Sequence, residues 1–167
     1  MIIRLAKAVL AAALGFFLLI VVFNNLTDYG SNYGFVYHVL AMDTSFPGNQ
    51  LMWRSIHSVP VYHAFYASII LWEATACALL FAGAWKLWSV RAASAAAFNR
   101  AKNLAVLGLT LNLLQWLVAF LTVGGEWFVM WQSKTWNGQD AAARMFMVAG
   151  IILLFVNSRD EELAPAA

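Results

Sequence analysis

Four long apolar runs, separated by short polar stretches, dominate the pattern of hydrophobic and polar positions along this chain. The first, Leu5 to Phe23, carries one charge, Lys7, close enough to its start for the ammonium to reach the interface along its alkyl stem. The second, Val59 to Trp85, is the longest, and its only charge is Glu73. Ser58 precedes it as an N-cap, and Pro60 falls in the first turn, where a missing N–H costs nothing. The third, Leu104 to Val123, has no charge. The fourth, Ala141 to Asn157, is the weakest, because its uncharged part, Met145 to Val156, is only 12 residues long. One crossing of a bilayer uses about 20 apolar residues. The pattern therefore predicts an all-α fold, an integral membrane four-helix bundle forming a single domain over residues 1–167, with spans at about 5–23, 59–85, 104–123 and 141–157.

The connections carry their own signals. An outer loop over 24–58 begins with "NNLTDYGSNYG", whose Asn, Asp, Gly and Ser content predicts turns. Asn25-Leu26-Thr27 has the form of a glycosylation acceptor, but a turn is the expected role. The apolar stretch Phe35 to Met42 is too short to cross, so a short interfacial helix is expected there. In the second outer loop, 124–140, Gly124-Gly125 should loosen the end of span three. Glu126 to Trp131 is expected to continue as a short amphipathic helix with Trp127 and Trp131 on one face. Trp136-Asn137-Gly138 predicts a turn, with Asn137 capping span four and Asp140 and Arg144 paired on its surface. The connection Ser89 to Asn103 reads as an alanine-rich linker facing the lipid, and the acidic tail Asp160-Glu161-Glu162 as disordered.

Composition sharpens the class. Apolar residues make up 63% and charged residues 11% of the 167, and the mean hydropathy is +0.72. Water-soluble domains run nearer half apolar and about 25% charged, so that class is excluded. The ten basic residues are scattered, with no basic stripe to bind nucleic acid. Their distribution does predict direction. Arg4, Lys7, Lys86, Arg91, Arg100, Lys102 and Arg159 flank one side, and only Arg54, Lys134 and Arg144 the other, which predicts both termini in the cytoplasm. No small-residue cleavage site follows Phe23, so the first run is expected to be a retained signal anchor. Trp85 and Trp88 mark the inner interface, and Trp53, Trp127, Trp131 and Trp136 the outer one.

The intramembrane polar residues carry the candidate chemistry. A charge at the bilayer centre costs about 2.5–3.5 kcal/mol even on the lenient insertion scale, so Glu73 should face protein. At about 100° per residue, Tyr62, Tyr66, Glu73 and Cys77 share a narrow stripe of span two. Gly108, Asn112, Gln115, Ala119 and Thr122 share a face of span three, so Glu73 and Gln115 should meet at similar depth. The expected cluster is Glu73, Asn112, Gln115 and Tyr66, either as an interhelical hydrogen-bond network or as a protonatable relay or ligand cleft. His38, His57 and His63 all lie toward the outer face; with Tyr62 they are candidates for a haem or a quinone, though hydrogen-bonded interfacial histidines are the plainer reading. Their spacing matches no metal signature, and the lone Cys77 builds neither a disulfide nor a metal site. The chain holds no GxSxG, Walker or HExxH motif, so no residue is assigned a catalytic role.

The strings "NLTDYGSNYGFVYHVLAMDTSFPGNQLMWRSI" and "GGEWFVMWQSKTWNGQDAAARMF", with four spans in this order, resemble the bacterial predicted small integral membrane proteins grouped as domain of unknown function 2165. That resemblance implies a four-span bacterial membrane protein and brings no catalytic residues with it. The sequence reading expects a non-enzymatic accessory or scaffold subunit of the bacterial inner membrane. It would offer Trp127, Trp131, Trp136 and Tyr37 to a membrane complex or to a second copy of itself. Two alternatives are a haem- or quinone-binding anchor subunit and a small transporter or proton-coupled channel centred on Glu73.

Overall fold

The computed structural model describes residues 1–163, and every described element is helical. Helix α1 spans Ile2–Thr27, α2 Tyr29–Ala41, α3 Val59–Ser89, α4 Ala95–Ala101, α5 Asn103–Leu114 and α6 Gln139–Asn157. α5 continues without a break into a π-helix, Gln115–Trp127. Four of these helical stretches are long and apolar enough to cross a membrane. Only 17–33% of the most apolar window of each is buried within the protein. Large side chains such as Leu71, Ile151 and Leu154 point outward at 69%, 68% and 75% exposure, an arrangement that suits surrounding lipid and not water.

The contacts that hold the bundle follow from small residues on one face of each helix. On α1 the buried stripe is Ala8, Ala11, Leu14, Gly15 and Leu18, spaced three and four apart, and it lies against α3. A Cβ added at Gly15 would meet Leu80 Cβ at 3.3 Å. α3 and α5 approach more closely still. A Cβ at Gly83 would stand 2.4 Å from the backbone nitrogen of Ala105, and one at Gly108 would stand 2.9 Å from Leu80 Cγ. Lipid tails are as apolar as leucine, so such helices associate through close backbone packing, which small residues permit.

Three connections differ from their sequence expectation. "NNLTDYGSNYG" is helical, with only Asp28 interrupting α1 and α2. Asn25 bonds Glu73 on α3 and Asn32 bonds Asn25, so both amides leave the backbone ladder intact, while Ser31 Oγ donates to Asp28 Oδ2 at the corner at 2.7 Å. The Ser89–Asn103 linker contains α4, which is started by Ala97 N–H donating to the Ser94 hydroxyl at 3.3 Å. Glu126–Trp131 is not one amphipathic helix. The π-helix ends at Trp127, Val129 takes a left-handed backbone at φ 47°, and a 3-10 turn covers Met130–Gln132. A buried β-branched residue at positive φ is strained by about 1–3 kcal/mol, and here packing holds it. Asn137 Oδ1 does accept from Gln139 N–H at 3.1 Å, but the helix cap is Gly138. Asp140 and Arg144 form no ion pair among the described residues.

The end of the bundle that carries the termini is tied by charge. Lys7 and Lys102, 1% and 4% exposed, both donate to Asp160 Oδ2, at 2.5 and 2.6 Å. Arg4, equally buried, donates to the main-chain carbonyls of Arg91, Ala93 and Glu161. Lys7 thus turns into the protein and does not snorkel to lipid headgroups. Likewise the expected disordered tail is an ordered strap at Asp160, because its carboxylate is the counter-charge these cations require.

Candidate functional site

Halfway along α3, Glu73 is 3% exposed, and each of its carboxylate oxygens accepts one amide N–H. Gln115 Nε2 donates to Oε1 at 2.9 Å, and Asn25 Nδ2 to Oε2 at 2.7 Å. α1, α3 and the start of the π-helix therefore converge on one carboxyl group. The chain of bonds runs on to the bundle's far end, opposite the termini. Asn32 Nδ2 donates to Asn25 Oδ1 at 2.6 Å, and the Tyr66 hydroxyl donates to the Asn25 carbonyl at 3.3 Å. Among the described residues no cation pairs with Glu73.

The hub leaves polar atoms unsatisfied. Among the described residues, Gln115, 1% exposed, has no partner for its Oε1. Nor is there one among them for either amide atom of Asn112, one turn earlier on α5 and fully buried, or for the indole N–H of Trp116. Most buried polar atoms in folded proteins are bonded to protein or water, so four unpartnered atoms in one region set it apart from the rest of the bundle. Two cavities flank it. One, of about 240 Å³, is lined by Asn25, Asn32, Tyr66, Glu73 and Trp116 with Phe35 and Phe120. The other, also about 240 Å³, lies between α2, α3 and the π-helix, and Gln115 is one of its few polar lining residues.

The π-helix explains why the face expected of span three holds only in part. Gly108, Asn112 and Gln115 are buried and Ala119 half-buried, but Thr122 is exposed. Wider winding rotates Thr122 away, and its hydroxyl bonds the carbonyl of Leu117, five residues back, at 2.9 Å. Such segments are rare.

The three histidines each have a separate partner. His63 Nδ1 meets the Tyr29 hydroxyl at 2.8 Å, with the ring stacked 4.5 Å from that of Tyr33. His38 pairs with Asp43 at 2.8 Å and stacks on Trp136 at 4.5 Å, and His57 bonds Ser55 Oγ. No three His, Cys, Asp or Glu among the described residues are grouped to hold a metal ion. Tyr62 donates to the Ile56 carbonyl and packs edge-on to Tyr37, so that hydroxyl is also engaged internally. Of the far-end aromatics, Trp127 and Trp131 are 47% exposed, whereas Tyr37 and Trp136 are half-buried in the cap. Arg54 lies between the Trp53 and Trp127 rings, 5.2 and 4.6 Å from their centroids.

Residues 3–159 match the family described as predicted small integral membrane protein, domain of unknown function 2165. The chain belongs to that family. No curated protein matches it, and no solved structure does. As a member of domain of unknown function 2165 it is a small integral membrane protein, and the helices described above are its candidate spans. Asn25, Asn32 and Trp116 were absent from the sequence-derived cluster. Asn25 had a signal, since it stands one heptad beyond Leu18 on the buried stripe of α1. Nothing comparable marked Trp116.

Proposed function

We propose that this protein is a non-enzymatic binding protein of the bacterial inner membrane that takes up a small organic cation, such as an amine or quaternary ammonium, at Glu73. The observation that carries the reading is a buried carboxylate served by two amide N–H groups, without a counter-cation among the described residues, on the wall of an aromatic cavity. A charge on this carboxyl group would stand uncompensated in a medium where that is costly, and a bound ammonium would supply the missing counter-charge. Tyr66, Trp116, Phe35 and Phe120 supply the ring faces that attract an ammonium group. Asn32, exposed on α2, places the cavity's mouth toward the far end. With seven Lys or Arg flanking the end that carries the termini and three the far end, both termini are assigned to the cytoplasm and the mouth to the periplasm.

The test uses the full chain in lipid nanodiscs, with tetraethylammonium and a primary alkylamine as probes followed by tryptophan fluorescence. Saturable binding is expected, weakened about ten- to hundred-fold by Glu73→Gln, as loss of a charged hydrogen bond implies. Unchanged affinity in a folded Glu73→Gln protein would falsify the reading.

A second reading, as an accessory or scaffold subunit, draws on the far-end aromatics. Trp53, 71% exposed, shares the Arg54 guanidinium with Trp127, and Trp and Arg side chains are frequent interface anchors. Gentle solubilisation from the native membrane should then recover a complex or a homo-oligomer, and Trp53→Ala with Trp127→Ala should break it. A wild-type chain that always runs alone sinks this reading.

A further inference from the structure

We infer that the cavity between α2, α3 and the π-helix binds a neutral lipid that carries a hydroxyl group, with the hydroxyl donating to Gln115 Oε1. Gln115 has its amide nitrogen committed to Glu73 at 2.9 Å, which leaves its carbonyl oxygen as the unpartnered end of a side chain that is 1% exposed and lines this cavity. An orphan acceptor selects a donor, either O–H or N–H. The rest of the lining is apolar apart from Ser68, whose hydroxyl already donates to the Phe65 carbonyl at 2.7 Å, and it contains no charged residue. The occupant is therefore uncharged and mostly hydrocarbon. Its route of entry is also visible. Phe65, Ser68 and Val118, on α3 and the π-helix, are exposed lining residues on spanning segments, so the cavity opens toward lipid. A membrane alcohol fits all three conditions, and a lipid with a charged headgroup fits none of the lining.

This cavity shares the wall of Phe35, Val36, Ile69 and Phe120 with the Glu73 cavity, but Ser68 and Ala119 line it alone, and substitutions there keep the two apart. A photoreactive long-chain fatty alcohol and its methyl ether are incorporated into nanodiscs holding the full chain, and labelled peptides are identified by mass. The alcohol is expected to label Phe65–Trp72 and Val118–Gly124. The ether, which has no hydrogen to donate, is expected to label them about two- to tenfold less, the ratio a single neutral hydrogen bond supports. Ala119→Phe fills the cavity and should remove the label while tetraethylammonium binding persists. Ser68→Phe at the exposed mouth serves the same purpose should Ala119→Phe not fold. Equal labelling by alcohol and ether, label confined to other surfaces, or label undiminished in a folded filled variant overturns the inference.

Discussion

Replacing Asp160 by asparagine leaves Lys7 and Lys102 buried at the terminal end with their shared counter-charge gone. Both ammoniums keep other acceptors, because the Ser158 carbonyl lies 2.7 Å from Lys7 Nζ and 2.5 Å from that of Lys102. They nevertheless lie close enough to repel. Breaking a buried ion pair by removing one partner costs about 3–5 kcal/mol, and nearby water at this end of the bundle brings the expectation to the lower figure. For a chain of this size, that corresponds to a melting-temperature loss of about 6–12 °C. The assay is thermal unfolding in nanodiscs at neutral pH. Glu161→Gln is the control, since only the main chain of Glu161 contacts Arg4. Acid should reproduce the effect. Burial pushes the Asp160 carboxyl upward, but the Lys102 and Lys7 ammoniums outweigh it and hold the group below its ordinary 3.8. Hence the unfolded chain binds the proton more readily. The stabilisation is full above the unfolded value and disappears as pH falls through the lower folded one. A folded Asp160→Asn protein melting within about 2 °C of wild type, with an unchanged acid limb, would refute the reasoning.

Two further predictions follow from distances given above. Gly83→Ala drives a methyl onto the Ala105 backbone and should cost about 1–3 kcal/mol or more, whereas Gly150→Ala, with nothing nearer than 3.8 Å, should be neutral or slightly stabilising; equal melting temperatures would remove the close α3–α5 crossing. Asn25→Leu deprives Glu73 Oε2 of its donor and should cost about 1–3 kcal/mol in the same assay, and a double-mutant cycle with Gln115→Leu should be non-additive; strict additivity would mean the two amides do not share one carboxylate.

How much of this was legible in the residues depends on which force sets each feature. The four long helices and the Glu73–Gln115 contact could be read from hydropathy and 3.6-residue periodicity, because lipid enforces both. Asn25 escaped because Asn, Asp and Gly in water signal turns, whereas inside a bundle the same amide is spent on a buried carboxylate. Arg4, Lys7 and Lys102 escaped for a related reason. Counting positive charges by side treats each as facing water or headgroups, and three of the seven are buried. The π-winding from Gln115 onward has no sequence rule behind it, so Thr122 was assigned to a face by the wrong period.

Arg4 and Glu161 are 157 positions apart, yet one guanidinium joins them. Because the chain is made from its N-terminal end, Lys7 precedes its Asp160 partner by 153 positions, and Arg4 gains its third carbonyl, that of Glu161, only then. This end therefore closes only after α6 is made, and a chain cut after Asn157 would leave Lys7 and Lys102 without the Asp160 carboxylate while Arg4 kept Arg91 and Ala93.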